Sequence, residues 1–283
     1  MKETFMLTKT KLGIYEYTVE EDAIEFFLQQ GERSFIYRGL SNSDYELIPT
    51  AYRPDSSETV SLSQIARKYM EPENINTNGY KMETREIFIL KEFYLMANAQ
   101  GIDVPRIKSE HPLDFRSVMC KERIDDWLDV AALAQHYGLP TRLLDWTTDP
   151  FIALYFAVKN DDNSHDSAIW ILDRQNCFEI YQVRLITPRY CGNPNIMAQS
   201  GLMTAYIGDN HPQTEPLDRI ISEEIENSSL LKNNKDAMVM MKIIIPAEKK
   251  RELKARLANM GYNHCRVFPG LYSIVQEMKD IQT

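Results

Sequence analysis

The sequence predicts an α+β fold: a mixed central sheet carrying a helical insertion at about residues 55–130. Three observations point to it. Helical periodicity dominates the first half, strand-like apolar runs are spread through the second, and no regular strand–helix alternation or internal repeat links the two. Of the 283 residues 43% are hydrophobic, enough for a sizeable core, and the chain reads as a single domain over 1–283.

Taken in order, residues 21–30 form an amphipathic helix that Gly31 stops. Ser34 to Arg38 is a short strand rich in aromatic and β-branched residues, ended by Gly39. Asp44 to Arg53 is extended, with Pro49 inside it. Residues 55–81 are polar and irregular, with a helix near 60–70. Thr84 to Gln100 is helical, because Ile87, Leu90, Phe93, Tyr94 and Ala97 recur at helical spacing. After a loop with two prolines, Leu113 to His136 is a second long helix. Gly138 followed by Pro140 stops it. Thr141 to Trp146 is a short strand. A helix then starts where Thr147, Thr148 and Asp149 offer capping oxygens and Pro150 takes a first-turn position.

Further strands are expected at Ser167–Asp173, 181–187, 237–245 and 264–268. Met238 to Ile245 is the most apolar run in the chain. Arg189 to Leu231 is loop-rich, with several glycines and prolines, and such a region in a compact protein is commonly functional. Ala247 to Met260 is a charged amphipathic helix ended by Gly261, and Leu271 to Met278 is the last helix.

The net charge of −9 argues against a broad electrostatic footprint on nucleic acid and leaves a local basic cleft open. Cys120, Cys177, Cys191 and Cys265 lie far apart in no metal-ligand spacing and read as reduced thiols, so no metal is expected. The N-terminus lacks an apolar signal segment, and no apolar run is long enough to span a membrane. A cytoplasmic protein with no membrane partner is expected. No phosphate-binding loop, dinucleotide fingerprint or zinc-protease motif is present. Clustered acids of the kind a metal-dependent nuclease uses are also missing.

Two stretches are suited to chemistry. Tyr37-Arg38-Gly39 ends a strand with a guanidinium, a planar fork of donors that fits phosphate or carboxylate. Gly39 would let a ligand approach the backbone. In the second, Gln135 to Ala157, polar groups gather at a strand end and a helix N-terminus, a place that readily holds an anion. The structural alternative pairs Arg142 with Asp145 inside the core and leaves Arg38 to an acid elsewhere.

Phe35-Ile-Tyr-Arg-Gly-Leu40, Gln135-His-Tyr-Gly-Leu-Pro-Thr-Arg-Leu-Leu-Asp-Trp-Thr-Thr-Asp-Pro150 with Ala153-Leu-Tyr-Phe-Ala157, Asn195-Ile-Met-Ala-Gln-Ser-Gly-Leu202 and Val267-Phe-Pro-Gly-Leu271 resemble the FRG domain family. The resemblance runs from about residue 20 to 278. A more distant similarity is to Arg–Ser–Glu-type ADP-ribosyltransferases, which implies an ADP-ribosyltransferase-like sheet. Arg38 matches their first-strand arginine, which contacts the phosphates of NAD. Asp145-Trp-Thr-Thr148 with Ala153–Ala157 has the form of their second element. The third, a glutamine followed by glutamate, is met only by Gln199-Ser-Gly, which lacks the acid.

The resemblance implies an NAD-consuming mono-ADP-ribosyltransferase that acts as a toxin or effector, in a setting such as phage defence. Its acceptor would be RNA, DNA or protein, with RNA favoured, and an antitoxin partner would restrain it. Cleaving the bond to nicotinamide builds positive charge on the ribose, so the site must bind a diphosphate and place negative charge near that sugar. Tyr37, Arg38, Gly39, Arg142, Thr147 and Thr148 would then hold NAD, while Asp145, His136 and Gln199 would be catalytic. His136 would act as the base on the acceptor. The alternative is a non-catalytic module that binds a nucleotide or a partner, favoured by the missing glutamate. The transferase reading requires Tyr37, Arg38, His136, Asp145, Thr147 and Gln199 on one cleft, within about 10–15 Å of one another.

Overall fold

The computed structural model describes residues 8–19, 22–28, 34–53, 62, 64–65, 82–107, 124–160, 164–189, 193–234 and 237–280. Its strands are β1 (Thr8–Lys11), β2 (Ile14–Thr18), β3 (Phe35–Leu40), β4 (Leu144–Thr147), β5 (Ser167–Asp173), β6 (Val183–Ile186), β7 (Gly201–Tyr206) and β8 (Met240–Ile245). The α-helices are α1 (Ala23–Leu28), α2 (Met82–Ala99), α3 (Leu128–His136), α4 (Pro150–Val158), α5 (Arg174–Phe178), α6 (Pro194–Ala198), α7 (Leu217–Asn227), α8 (Lys250–Asn259), α9 (His264–Val267) and α10 (Leu271–Asp280).

All eight strands form one sheet in the order β1-β2-β8-β5-β3-β4-β7-β6. The sheet is mixed: β2 and β8 are parallel, and every other neighbouring pair is antiparallel. Helices cover both faces. On one, Leu217, Ile220, Ile221 and Ile225 of α7 pack on Ile36, Leu40, Leu144, Trp146 and Trp170. On the other, α1, α4 and α8 pack on Phe35, Tyr37, Ile169, Ile171, Ile243 and Ile245. The alternation of side chains along β3 and β5 distributes them between these two cores. α2 and α3 build a third cluster around Trp127, with Leu143, Met203 and Ala205.

Most strong patterns land where their periodicity puts them. The strand at Ser167–Asp173 has those bounds. The apolar run ending at Ile245 becomes β8, hydrogen-bonded on both edges. α3 ends at His136, and Gly138 takes the left-handed conformation (φ 90°) behind it. Of the expected helix at 113–136, residues 124–127 form a 3-10 turn and 128–136 the α-helix; the part before 124 lies outside the described residues. The polar stretch 55–81, with the expected helix near 60–70, also lies almost wholly outside them.

Two expectations need correction, and one element went unread. Residues 264–268 are not a strand: they form helix α9, because the Asn263 side chain accepts the Arg266 amide and caps a turn. The region 189–231 is not mainly loop, since it holds α6, β7 and α7. Flanking glycines and prolines hide β7, yet Leu202 to Tyr206 is buried throughout. The polar hairpin β1–β2 also belongs to the sheet, at its edge. No described helix is long and apolar enough to cross a membrane.

Candidate functional site

β3 and β4 share only one register pair, Tyr37 opposite Thr147, whereas β3 pairs with β5 along its whole length. Beyond Tyr37 the two strands part. Arg38 spans the opening: its Nη1 donates to the backbone carbonyl of Asp145 at 2.6 Å, where a paired strand would have supplied an amide. A cleft of about 390 Å³ opens at this split. Its base is Tyr37, Arg38, Gly39, Trp146, Thr147 and Ala153. Gln135 and His136 from the end of α3 form one wall, and Asn195, Ile196 and Gln199 form another. Phe156 and Phe268 complete it.

Tyr37, Arg38, His136, Asp145, Thr147 and Gln199 therefore line a common cleft, although they come from four separate segments of the chain. Arg38 keeps 15% of its side chain exposed, and its Nε is buried without a hydrogen-bond partner among the described residues. Burial pushes the guanidinium below its ordinary value; Asp145 opposes that, and the like charge of Arg53 adds to it. Arg53 is held by Nε donating to the Ile48 carbonyl at 2.8 Å, and its own charge is felt against Asp145. Arg38 is thus the cation that lines the cleft, and Arg53, outside the lining, acts on it and on Asp145 only through its charge.

Asp145 supplies the carboxylate of the cleft, the only one among the lining residues. It is 64% exposed; Gln135 donates to Oδ1 at 2.7 Å, and Arg38 Nη1 stands 3.9 Å from Oδ2. His136 lies opposite. Desolvation pushes its imidazole below 6.5, and Asp145 partly restores it, so the ring is neutral at pH 7 and able to take a proton.

Thr147 is tied into the scaffold. Its hydroxyl donates to the Gln199 carbonyl at 2.6 Å and accepts the Asp149 amide at 3.0 Å. The Gln199 side chain donates to the Val267 carbonyl at 3.1 Å, which closes the cleft wall against α9. Ser200 follows with φ 48°, a left-handed serine that turns α6 into β7. Asp149 caps α4 through the Phe151 amide and accepts from Tyr262 Oη at 3.0 Å. Burial, and then Asp149, pushes the Tyr37 phenol upward, so it stays protonated and packs edge-on against Phe27.

Two predicted residues take other places, and a third is held in the cleft by packing. Arg142 does not bind in the cleft. It is 1% exposed, with Nε on Glu86 Oε2 at 2.8 Å, Nη2 on Tyr52 Oη at 3.1 Å and Nη1 on the Tyr206 carbonyl at 3.2 Å. Nor does it pair with Asp145. Thr148 is exposed, does not line the cleft, and gives its amide to the Ser200 carbonyl. Gly39 does line the cleft, but the space of its missing side chain is taken by α4: an added Cβ would sit 1.8 Å from the Ala153 carbonyl oxygen. Its role is close helix–strand packing. Sequence reading missed Arg53, the Asp145 contact of Gln135, and the aromatic wall of Phe156 and Phe268. Gln135 and Phe268 sat inside quoted motifs, whereas nothing local marks Arg53. Among the described residues no group of three or more His, Cys, Asp or Glu side chains is arranged to hold a metal.

Residues 33–166 match the family model for the FRG domain. No curated protein and no solved structure matches the chain. The chain carries an FRG domain over that stretch, which contains Tyr37, Arg38, His136, Asp145 and Thr147; Gln199 and Phe268 lie outside it.

Proposed function

We propose that this FRG domain binds NAD in the cleft between β3 and β4 and transfers its ADP-ribose to an acceptor. One observation carries the reading: a buried arginine with an unpartnered Nε, a carboxylate and a neutral histidine share a cleft of a few hundred cubic ångströms. Arg38 suits the diphosphate, because the fork of a guanidinium matches its charge and its oxygens, and Arg53 outside the lining adds positive charge to the same region. Asp145 is the carboxylate available to face the positive charge that develops on the ribose. The bond from the ribose C1′ to the nicotinamide nitrogen breaks, and its electron pair leaves with nicotinamide. A lone pair on an acceptor oxygen or nitrogen forms the new bond to C1′, and the acceptor proton passes to the His136 imidazole. Thr147 and Gln199 hold the far side through their mutual hydrogen bond. On this reading the protein is a toxin or effector of the phage-defence kind, as the family resemblance implies, with RNA the favoured acceptor over DNA or protein and an antitoxin as the restraining partner.

A second reading has its own observation: the Gln199 amide is spent on Val267, and Ser200-Gly201 offers no acid beside it. A cleft so built would bind a nucleotide without consuming it. One experiment separates the two. Purified protein is incubated with labelled NAD and separate pools of RNA, DNA and protein, and transferred label is followed alongside calorimetry with NAD. Transfer that Asp145→Asn abolishes supports the transferase. Binding without transfer or nicotinamide release selects the binding module, and absence of NAD binding overturns the transferase. In cells, the transferase reading expects growth arrest that Asp145→Asn with Thr147→Ala relieves while the protein still accumulates.

A further inference from the structure

We infer that Gln135 is the positioning residue for the Asp145 carboxylate, and that Thr141 fixes which way the Gln135 amide points. The inference rests on the transferase reading for its catalytic meaning, but its geometry stands alone. Asp145 is exposed and ends in a freely rotating carboxylate unless something holds it. Arg38 does not hold it in direction: its hydrogen bond goes to the Asp145 backbone carbonyl, and Oδ2 is 3.9 Å away, beyond hydrogen-bond reach. The short contact to Oδ1 comes from Gln135 Nε2 at 2.7 Å.

The direction of that contact follows from both ends of a chain of donors. The Leu143 backbone N–H can only donate, and it donates to Thr141 Oγ1 at 3.2 Å. Thr141 Oγ1 keeps a second lone pair, so its proton is placed from the other end: Gln135 Oε1 can only accept, and the Thr141 hydroxyl donates to it. That leaves the Gln135 NH₂ facing Asp145, whose ionised carboxylate can only accept. Every member has one orientation, and bonds aligned head to tail strengthen one another. Thr141 is fully buried, so its hydroxyl has no water to turn to. The relay crosses from the backbone entering β4 to the end of α3 and back to β4. It locks the cleft wall and the carboxylate together.

Two variants test it. Gln135→Glu keeps the side-chain shape and replaces the donating amide with a second carboxyl group. Thr141→Val keeps the volume and removes the hydroxyl. Thr141→Val, outside the cleft lining, should bind NAD within about twofold of wild type by calorimetry, whereas Gln135→Glu adds a negative charge to the cleft wall and binds more weakly; in both the transfer rate at saturating NAD falls about tenfold to a hundredfold, the cost of a misplaced reacting group. The readout that a merely structural role would not move is the pH profile of Gln135→Glu. As the pH falls, one proton shared between the two carboxyls restores a donor to Asp145, so the ratio of variant to wild-type rate should rise. A flat ratio, or a wild-type rate at neutral pH, overturns the assignment. A second measurement keeps it separate from the transferase reading. In wild-type protein the Gln135 side-chain NH₂ should show slowed hydrogen exchange by NMR, lost in Asp145→Ala. If wild type neither binds nor consumes NAD, the transferase reading has failed, and the exchange data alone decide the relay. A Gln135 amide that exchanges like a free one overturns it.

Discussion

Arg142, on the approach to β4, is wholly enclosed, and each nitrogen that donates finds an oxygen of Glu86, Tyr52 or Tyr206. Arg38 reaches the same strand from its neighbour, spends one nitrogen on a backbone carbonyl, and keeps a buried Nε with no partner among the described residues. Both belong to motifs that suit an anion, and residue type alone does not separate them. Their surroundings do. The Arg142 site is complete: its counter-charge lies on α2, and the group braces helix, loop and strand. The Arg38 site is built around an opening in the sheet and is finished on only one side. A buried charge that is fully answered is architecture, and one that is partly answered beside a cleft is a place for something else to bind.

That contrast can be broken at several points. Glu86→Gln leaves the Arg142 charge unanswered in the core and should cost about 3–5 kcal/mol in urea unfolding. A loss under about 1 kcal/mol would mean that the pair is not the brace described. Gly39→Ala drives a methyl group into the Ala153 carbonyl and should destabilise by roughly 3 kcal/mol through overpacking. A stable variant that merely loses ligand binding would return Gly39 to the ligand. Arg38→Lys should change stability by under about 1 kcal/mol and lower NAD affinity tenfold to a hundredfold, because an ammonium cannot reproduce the fork. Equal affinities would remove Arg38 from the site.

The smallest effect is on pH. On the proposed transfer the neutral His136 ring takes the proton, and burial holds it below 6.5, so the transfer rate should hold at pH 7 and fall only at a midpoint under 6.5. His136→Gln should remove that acid limb. A limb that persists in the variant belongs to another group.

The reach of the sequence differs between the same two arginines. The stretch from Gln135 to Ala157 was legible as helix end, strand and capped helix, because its stop signal, Gly138, and its start signal, Asp149-Pro150, act locally. The convergence of Arg38, Asp145 and Gln199 entered through motif resemblance. The partner of Arg142 could not be read at all, because Glu86 is 56 residues away on a helix whose other positions only show apolar spacing. Gly39 misled because a glycine has the same letter whether a ligand or a helix backbone fills its space. β7 was hidden for a related reason: Gly201 and the prolines after Tyr206 describe its ends, whereas its middle is buried by helices far along the chain. The turn at 264–267 is too short for periodicity to distinguish helix from strand.

The parallel pair of the sheet sets an order in time. Ile14 of β2 lies opposite Met240 of β8, and ribosomes add about 5–20 residues per second, so β2 waits roughly 10–45 s for its partner to be made. In that interval only the β1 hairpin covers it, and the Lys9 and Lys11 charges on β1 discourage pairing with another chain. The cleft waits longer still, since Val267 and Phe268 close its wall from near the last helix. A nascent chain that already holds Arg38 and Asp145 is therefore without a finished cleft until Val267 and Phe268 have been made, more than a hundred residues later.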